Sequence, residues 1–457
     1  MSADSIPALS LAVAKDGRLI WEEAFGYADV QAQTAATSET PFAIGSLSKP
    51  LTATALMVLV QQARLNLDNP ANEFLEAPGL QAHVGVARDA TLRRLANHTS
   101  GLARHDIYYY DDEPREPLPI AERIRRYGHI VRVPGESYEY SNLGYMVLAH
   151  IIAQRSGRPF GEFMRAAVFE PVAMRHSSVG LPNEARHKAA RSYNEGRRPL
   201  PIREGTFAGA GGVFSTAGDL ARFGMFQLER PATSAPLVVS TSTLASMREP
   251  AVQTDSGAWY GIGWRIDRAA FGVETVYHTG SNGASASILA FVPAETLAVA
   301  VLANCVTSLP GWVAREVIAS FGPRPVPATH PHGYPTARLG QEPYRPTSEW
   351  TGRWEGAIHA PDGETPAVFE FTESGTILVL LRGAQPDTAS GVRMQDGYLR
   401  GSFSGEVQNR DTMGRRYRLH FKLRQSHDRL TGAVTASSVA GERVITLSYS
   451  TELRRNP

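Results

Sequence analysis

Apolar residues follow the chain in runs that predict strands near both ends of the first 321 residues and helices between them. Near the N-terminus, two apolar stretches flank Asp16-Gly17, a pair typical of a tight hairpin turn. The stretch that follows Lys49 is apolar nearly all round, which indicates a buried helix. In chain order, the predicted strands and helices are Ala8–Ala14, Leu19–Phe25, Leu51–Leu65, Leu143–Ala153, Thr275–Thr279, Ala284–Val292, Leu297–Ala303 and Pro310–Phe321. A sheet built from both chain ends, with helices packed on it, fits this order and defines an α+β fold.

A second pattern begins after Trp350, where polar and apolar residues alternate in short runs. From Tyr417 to Arg424 every second residue is apolar, as expected for a strand with one buried and one solvated face. Similar runs lie at Ala367–Glu373, Ile377–Arg382, Tyr398–Phe403 and Val444–Leu453. About seven or eight strands in ~108 residues predict a small all-β, up-and-down barrel.

A proline-rich segment separates the two patterns, since seven prolines fall between Gly322 and Pro346. Such a composition is typical of a semi-rigid linker. The sequence therefore predicts a first domain over residues 1–321, a linker over 322–346 and a β-barrel domain over 347–457.

The charge balance and the residue counts exclude several classes of protein. Lys and Arg number 46 against 45 Asp and Glu, a formal net charge of +1, which argues against a nucleic-acid-binding protein. Cys305 is the single cysteine, so an intrachain disulfide is impossible. The apolar runs are all shorter than the ~18 residues of a membrane-spanning helix, and residues 1–7 lack the features of a signal peptide. We therefore expect a cytoplasmic protein as the sequence is written, or a periplasmic or secreted one if a leader was removed.

The first motif with catalytic potential is Ser46-Leu47-Ser48-Lys49, at the start of a predicted buried helix. Residues three apart on a helix share a face, so the Lys49 amine can reach the Ser46 hydroxyl, whereas Ser48 points away from Lys49. A serine hydroxyl becomes a strong nucleophile only when a base takes its proton. A lysine amine can be that base once burial or a neighbouring charge lowers its pKa. The helix N-terminus also leaves the backbone N–H of Ser46 free for a developing oxyanion.

The second motif is Tyr140-Ser141-Asn142, preceded by a turn-like Pro-Gly-Glu. A tyrosine beside a cationic lysine can be held as phenolate and act as a base. The Asn142 amide offers both a donor and an acceptor to the amide group of an acyl substrate. The motif therefore contributes a second candidate proton carrier, Tyr140, and a substrate-binding residue, Asn142.

The third motif, His278-Thr279-Gly280-Ser281, lies on a predicted strand. Gly280 would let a substrate approach the backbone closely, and the N–H of Ser281 would serve as a second oxyanion donor. Each of the three motifs is a weak signal by itself. Each occurs once in the chain, in this order, which makes their combination improbable by chance.

With these motifs the chain resembles the superfamily of serine β-lactamases and penicillin-binding proteins. Within it, the chain is most similar to the class C β-lactamase-related esterases, D-aminopeptidases and D,D-carboxypeptidases. The resemblance covers residues ~6–321 and implies the β-lactamase/transpeptidase-like fold, an antiparallel sheet flanked by helices with a helical subdomain. Further stretches that support it are Phe42-Ala43-Ile44-Gly45, His98-Thr99-Ser100-Gly101-Leu102 and Ala210–Leu220. The predicted C-terminal barrel is similar to the lipocalin-like appendage of some members, where it would wall the cleft and restrict substrate size.

The resemblance implies an acyl-enzyme mechanism in which Ser46 attacks and Lys49 and Tyr140 shuttle protons. The N–H groups of Ser46 and Ser281 would stabilise the oxyanion. It implies a small-molecule ester, amide or peptide substrate and neither a metal nor an organic cofactor, while leaving the oligomeric state open. His278 stands where many β-lactamases carry lysine, and a histidine is mostly neutral at pH 7. The site then has less fixed positive charge for a substrate carboxylate, which lowers the expected β-lactamase activity.

Three readings of the function compete. The leading one is a serine hydrolase of esters or amides, and the next is a D-amino-acid-specific aminopeptidase or a D,D-carboxypeptidase. For the latter, the acids of Asp106–Glu113 would hold a substrate amine and its tyrosines would stack, although a solvated acidic loop with surface tyrosines explains the segment equally well. The third is a catalytically silent binding protein on the same fold. An α/β-hydrolase is disfavoured because the chain contains no G-x-S-x-G.

Overall fold

The computed structural model describes residues 6–113, 116–194, 197–202, 208–230, 238–268, 270–321, 341–412, 417–440 and 443–456. Residues 322–340, which make up most of the predicted linker, lie outside the described residues. The described chain divides into two compact units. The first unit draws its residues from 1–69, 109–116 and 145–337, and the second from 70–108, 117–144 and 338–457.

The described strands and helices agree closely with the predicted ones in the regions where both exist. The strands are β1 (Ala8–Lys15), β2 (Arg18–Asp29), β3 (Thr34–Ala35), β4 (Phe42–Ala43), β5 (Gln81–Ala82), β6 (His129–Ile130), β7 (Ser178–Val179), β8 (Val213–Ser215), β9 (Val252–Gln253), β10 (Trp259–Tyr260), β11 (Arg265–Asp267), β12 (Thr275–Ser281), β13 (Ala286–Val292), β14 (Leu297–Ala303), β15 (Gln341–Pro343), β16 (Gly352–Ala360), β17 (Gly363–Phe371), β18 (Ile377–Leu381), β19 (Asp387–Thr388), β20 (Ser390–Gln395), β21 (Tyr398–Gly405), β22 (Tyr417–Ser426), β23 (Arg429–Ala440) and β24 (Arg443–Arg455). The α-helices are α1 (Ser48–Gln61), α2 (Leu92–Ala96), α3 (Ile120–Tyr127), α4 (Asn142–Ser156), α5 (Phe160–Met164), α6 (Ala208–Gly211), α7 (Ala217–Gln227), α8 (Thr241–Met247) and α9 (Leu309–Phe321).

A nine-stranded antiparallel sheet forms the middle of the first unit, in the order β3-β2-β1-β14-β13-β12-β11-β10-β9. Its centre joins the two ends of this region, because β1 pairs with β14 and places Leu11 opposite Val301. Helix α9 packs on the face that carries Val299 and Val301. Helix α7 lies against Ala298, which points to the opposite face because side chains alternate along a strand. Both faces of the central strands are therefore buried, as their continuous apolar sequences require.

Local turn and capping signals in the first unit act where the sequence predicts them. Asp16 and Gly17 both have positive φ, 50° and 80°, which is the backbone of a type I′ hairpin turn. The Thr216 hydroxyl accepts a hydrogen bond from the Asp219 N–H at 3.2 Å and begins helix α7. Gly157, with φ of 70°, follows the last residue of α4. These predictions are confirmed.

The C-terminal residues of the second unit form a curled antiparallel sheet of ten strands, in the order β15-β20-β21-β22-β23-β24-β16-β17-β18-β19. Neighbours in sequence pair with each other, and the last strand closes back onto the first long one, with Ile358 opposite Thr451. The meander predicted from period-two alternation is confirmed, as a half-barrel whose edges among the described strands are β15 and β19.

Two segments of the predicted first domain belong to the second unit together with the half-barrel. Arg126, from α3, makes a 2.9 Å ion pair with Asp411, and both side chains are buried. The Tyr127 hydroxyl also donates a hydrogen bond to Asp411. Residues 70–108 and 117–144 thus pack with the C-terminal sheet, while the boundaries at 321 and 346 stay a prediction.

Candidate active site

Ser46 lies in a tight turn that only glycine permits. A 3₁₀ turn over Gly45–Leu47 precedes helix α1, and Gly45 has a left-handed φ of 52°. A Cβ on Gly45 would lie 2.8 Å from the backbone nitrogen of Ser281. The turn therefore packs directly against the end of β12, and the backbone amides of Ser46 and Ser281 lie on adjoining stretches of chain.

Lys49 is completely buried and points at the Ser46 hydroxyl. Its Nζ lies 3.0 Å from Ser46 Oγ, and its exposed fraction is 0%. The same Nζ donates a 2.7 Å hydrogen bond to the carbonyl oxygen of Ala210 and lies 5.6 Å from the centre of the Tyr145 ring. The structure thus brings together the serine and the lysine of the first motif.

The neighbouring Ser48 hydroxyl has a structural role. It donates a 2.7 Å hydrogen bond to the Gly45 carbonyl and accepts a 3.1 Å bond from the Val213 N–H. Ser48 is fully buried, whereas Ser46 is partly exposed. Of the two serines, Ser46 is the one whose hydroxyl faces both the lysine amine and accessible space.

Strand β13 and Gly280 hold the segment that leads into the turn. The Ser287 hydroxyl donates to the Ile44 carbonyl at 2.8 Å, and the Ser285 hydroxyl donates to the Ala43 carbonyl at 2.8 Å. A Cβ on Gly280 would lie only 1.9 Å from the Ile44 oxygen. The close backbone approach at Gly280 is therefore made by the chain itself, which is a structural reason for glycine that sequence reasoning missed.

His278 is buried and engaged by the chain's own groups. Its Nδ1 lies 2.7 Å from the Thr279 carbonyl oxygen and therefore donates to it. Its Nε2 then accepts from the Tyr260 hydroxyl at 3.1 Å. Burial, with the nearby charges of Arg265 and Lys49, lowers the pKa of His278 well below its ordinary value. The imidazole is thus neutral at pH 7, as expected, and it stays neutral well into acid.

Thr279 and Ser281, by contrast, point to the accessible side of β12. Along this strand Thr279 is partly exposed and Ser281 exposed, while His278 and Gly280 are buried. Period-two alternation accounts for this division. Of the predicted substrate-binding residues in this motif, Ser281 is the one placed to meet a substrate directly.

Tyr140 and Asn142 belong to the second unit, where the loop around His98 holds them. The half-buried Tyr140 ring lies 4.3 Å from the His98 ring, centre to centre. His98 Nδ1 accepts a 3.1 Å hydrogen bond from the Ser141 N–H, and the His98 carbonyl accepts a 2.7 Å bond from the Glu139 N–H. These contacts agree with the loop-fixing role that the sequence predicts for His98.

Asn142 has a partner that the sequence does not reveal. Its Nδ2 lies 3.2 Å from His105 Nδ1, and its backbone N–H donates to the Arg104 carbonyl at 2.9 Å. The Arg104 guanidinium also lies 5.4 Å from the Tyr140 ring centre. A lone histidine with no recognisable spacing gives no signal in the sequence.

The acidic segment Asp106–Glu113 is neither a solvated loop nor a display of surface tyrosines. Tyr108, Tyr109 and Tyr110 are all buried. Asp106 forms a fully buried ion pair of 2.6 Å with Arg123, and Asp111 pairs with Arg186 at 2.8 Å. The two aspartates are thus neutralised within the protein, so neither offers an uncompensated charge to a substrate amine.

Metal and membrane features were sought in the same coordinates. In the described part of the chain, no group of three His, Cys, Asp or Glu side chains is placed to hold a metal ion. None of the helices formed by the described residues is long and apolar enough to cross a membrane.

The sheet with helices on both faces and the Ser46–Lys49 pair define the class of protein as a serine hydrolase of the β-lactamase/transpeptidase-like fold. A family model described as "Beta-lactamase" matches residues 1–321. The chain therefore belongs to the β-lactamase family, as the motifs predict.

Curated relatives match this part of the chain and not the half-barrel. "Unguisins hydrolase ungD'" of Aspergillus campestris is 26% identical over 319 residues, which cover 65% of this chain and 58% of that protein. "Penicillin-binding protein 4" of Amycolatopsis lactamdurans is 30% identical over 315 residues, which cover 65% of this chain and 81% of that protein. The chain thus spans less than two thirds of the Aspergillus protein's length.

Solved structures show that the fold extends over the whole chain. An octameric penicillin-binding protein homologue from Pyrococcus abyssi has a TM-score of 0.60 at 21% identity, and the match covers 98% of this chain and 96% of that one. A class C β-lactamase has a TM-score of 0.59 at 21% identity and covers 69% of this chain and 92% of its own. At such identities the likeness concerns the fold alone.

Proposed function

We propose that the protein cleaves ester or amide bonds through a covalent acyl-enzyme on Ser46. The observation that carries this proposal is the 3.0 Å contact between Lys49 Nζ and Ser46 Oγ, made by a lysine with no exposed surface. Burial disfavours the charged form of an amine, because an ammonium group loses its hydration. A neutral amine that donates one proton to the Ala210 carbonyl keeps its lone pair for the serine proton.

The first half-reaction transfers the acyl group to the enzyme. Lys49 takes the hydroxyl proton of Ser46 while Oγ forms a bond to the substrate carbonyl carbon. The electrons of the C=O double bond move to its oxygen, and the N–H groups of Ser46 and Ser281 donate to that oxyanion. Its collapse breaks the bond to the leaving group, which receives a proton through Tyr140.

The second half-reaction hydrolyses the acyl-enzyme. A water molecule loses a proton to the Lys49–Tyr140 pair as its oxygen attacks the acyl carbon. Collapse of the second tetrahedral intermediate breaks the bond to Ser46 Oγ, which regains a proton as the carboxylic acid leaves. Asn142 would hold the acyl amide of the substrate, and the edge of β12 near Ser281 would lie along it.

A neutral ester or amide fits this site better than a substrate recognised through a carboxylate. His278 occupies the position where a cationic lysine would attract such a group, and burial keeps the pKa of His278 low. The aminopeptidase alternative loses support because Asp106 and Asp111 are paired with arginines. Since one relative is named a penicillin-binding protein, β-lactams belong among the test compounds.

A substrate panel tests the proposal. Purified protein is assayed with short nitrophenyl esters, nitrocefin, and D- and L-amino-acid anilides, beside Ser46→Ala and the surface control Ser242→Ala. We expect ester hydrolysis in the wild type and in Ser242→Ala, and a loss of about 10⁴-fold or more in Ser46→Ala. Ester hydrolysis that survives in Ser46→Ala, or none in the folded wild type, would contradict the proposal.

A further inference from the structure

The C-terminal sheet contacts the residues on which Tyr140 and Asn142 depend, within the second unit. Lys422, from β22, places its Nζ 2.5 Å from the carboxylate of Glu139, the residue directly before Tyr140. The hydroxyl of Ser448, from β24, accepts a 3.2 Å hydrogen bond from the backbone N–H of His105. His105 is the residue whose ring contacts Asn142. The half-barrel thus reaches the second motif by two independent routes.

The contact between Lys422 and Glu139 is a mostly buried ion pair. The two side chains are 16% and 17% exposed, and Arg132 Nε also lies 3.1 Å from the Glu139 carboxylate. Burial raises the pKa of the Glu139 carboxyl, but the charges of Lys422 and Arg132 outweigh it and lower the pKa to about 2. Glu139 is therefore ionised at working pH, and removing Lys422 would leave a buried carboxylate with one cation fewer beside Tyr140.

The strand that carries Lys422 is a firm support. In β22, Lys422 lies opposite Arg400 of β21 on one side and Ala433 of β23 on the other. Tyr398, also from β21, packs its ring 3.8 Å beneath the Arg132 guanidinium. A strand paired on both sides opens far less readily than a surface loop. The ion pair therefore ties the backbone before Tyr140 to one of the most constrained parts of the half-barrel.

We propose that Lys422 is a positioning residue for acyl transfer: by holding Glu139, it makes the C-terminal sheet fix the backbone that carries Tyr140. The inference rests on the proposed function, because the position of Tyr140 governs the rate only if Tyr140 carries protons for the Ser46 chemistry. It gives the half-barrel a part in the reaction itself, beyond the restriction of substrate size expected from the sequence. Misplacing a reacting group by ~1 Å costs on the order of 10²-fold in rate.

The test compares Lys422→Met with the matched control Arg424→Met in the full-length protein. Arg424 lies two residues further along the same face of β22 and pairs with Glu136, four residues before Tyr140. With a short nitrophenyl ester, kcat of Lys422→Met should fall by about tenfold or more while KM stays within about threefold. Arg424→Met should stay within about twofold of wild type, and Lys422→Arg, which keeps the charge, should recover most of the rate.

A pH profile separates positioning from a general loss of stability. In Lys422→Met the under-compensated Glu139 carboxylate should move the acid limb of kcat/KM to higher pH, because a nearby negative charge raises the pKa of a base. Adding Glu139→Gln to that variant should remove the shift. If Lys422→Met does not fold, Glu139→Gln alone breaks the same ion pair from the loop side and should lower kcat comparably, and an unchanged kcat there would overturn the proposal.

The remaining outcomes also decide the question. Equal losses in Lys422→Met and Arg424→Met, or a loss that follows the melting temperature with no change in the acid limb, would overturn the proposal. Wild-type hydrolysis that depends on Ser46, together with an unaffected Lys422→Met, would overturn this inference and leave the proposed function standing. A folded wild type with no hydrolysis and no labelling of Ser46 by a fluorophosphonate would overturn both.

Discussion

Adding a single methyl group at Gly280 should displace the nucleophile without touching it. The Cβ of Gly280→Ala would lie 1.9 Å from the Ile44 carbonyl oxygen and 2.3 Å from Ser287 Oγ, whereas real Cβ atoms do not approach other atoms within 3.0 Å. The Ile44 carbonyl must therefore retreat by at least 1.1 Å, the difference between 3.0 and 1.9 Å. That shift would also disturb the 2.8 Å hydrogen bond from Ser287. Ile44 is two residues before Ser46, so the shift reaches the nucleophile.

A displacement of this size should lower kcat/KM by on the order of 10²-fold, about 2.7 kcal/mol of transition-state stabilisation. The assay is the hydrolysis of a short nitrophenyl ester, with the rate of fluorophosphonate labelling as a measure of Ser46 reactivity alone. Gly161→Ala in helix α5 is the control, because its Cβ would meet Val179 at an ordinary 3.5 Å. A Gly280→Ala protein within about threefold of wild type in both assays would refute the reasoning, because a nucleophile in place is incompatible with the clash.

Three further predictions follow from the site and its surroundings. Loss of Lys49 or Tyr140 should each cost on the order of 10²–10⁴-fold in rate, and Lys49→Ala/Tyr140→Phe should lose little more than the worse single variant, because the two residues act as one unit; fully additive losses in kcat/KM would separate their roles. The ratio of rates on matched anionic and neutral esters should stay constant from about pH 7.5 to 5.5, because the pKa of His278 is held well below its ordinary value; a rising preference for the anionic ester in acid would show that His278 gains charge. His83 Nε2 lies 2.9 Å from His129 Nδ1, and burial lowers the pKa of both, that of His129 to about 4. Since the unfolded chain binds their protons near pH 6.5, their contribution to stability is complete above that pH and lost as the pH falls from 6.5 to 4, by at most about 3 kcal/mol for His129; a pH series of melting temperatures should fall less steeply for His83→Asn/His129→Phe than for wild type, and parallel curves would contradict this.

The sequence predicts the parts of the fold that are governed by local pattern. Asp16-Gly17 supplies the two positive φ angles that a tight hairpin needs, and the apolar runs of β13 and β14 match their complete burial. Pairings between distant segments leave no such periodic signal. Phe42 pairs with Ser215, 173 residues further on, and the contact helps to seat the turn that carries Ser46. The half-barrel is likewise predicted as a meander, but its grouping with residues 70–144 depends on single contacts such as Arg126 with Asp411.

The candidate site divides in the same way. The i, i+3 spacing of Ser46 and Lys49 is sufficient to predict that their side chains meet, since that geometry is local. The spacing cannot predict that Gly280 serves the Ile44 carbonyl, or that the nitrogens of His278 are occupied by Thr279 and Tyr260. Those roles depend on which atoms a distant segment brings close, and a sequence motif contains the residue types without their surroundings.

The most direct test of the central claim is the location of a covalent adduct. The protein is treated with a fluorophosphonate, and its intact mass and peptide map are measured for wild type, Ser46→Ala and Ser48→Ala. Because Lys49 Nζ contacts Ser46 Oγ at 3.0 Å and the Ser48 hydroxyl is held by Gly45 and Val213, we predict one adduct per chain, mapped to Ser46 and missing from Ser46→Ala. An adduct that persists in Ser46→Ala, or maps to Ser48 in the wild type, would contradict the account.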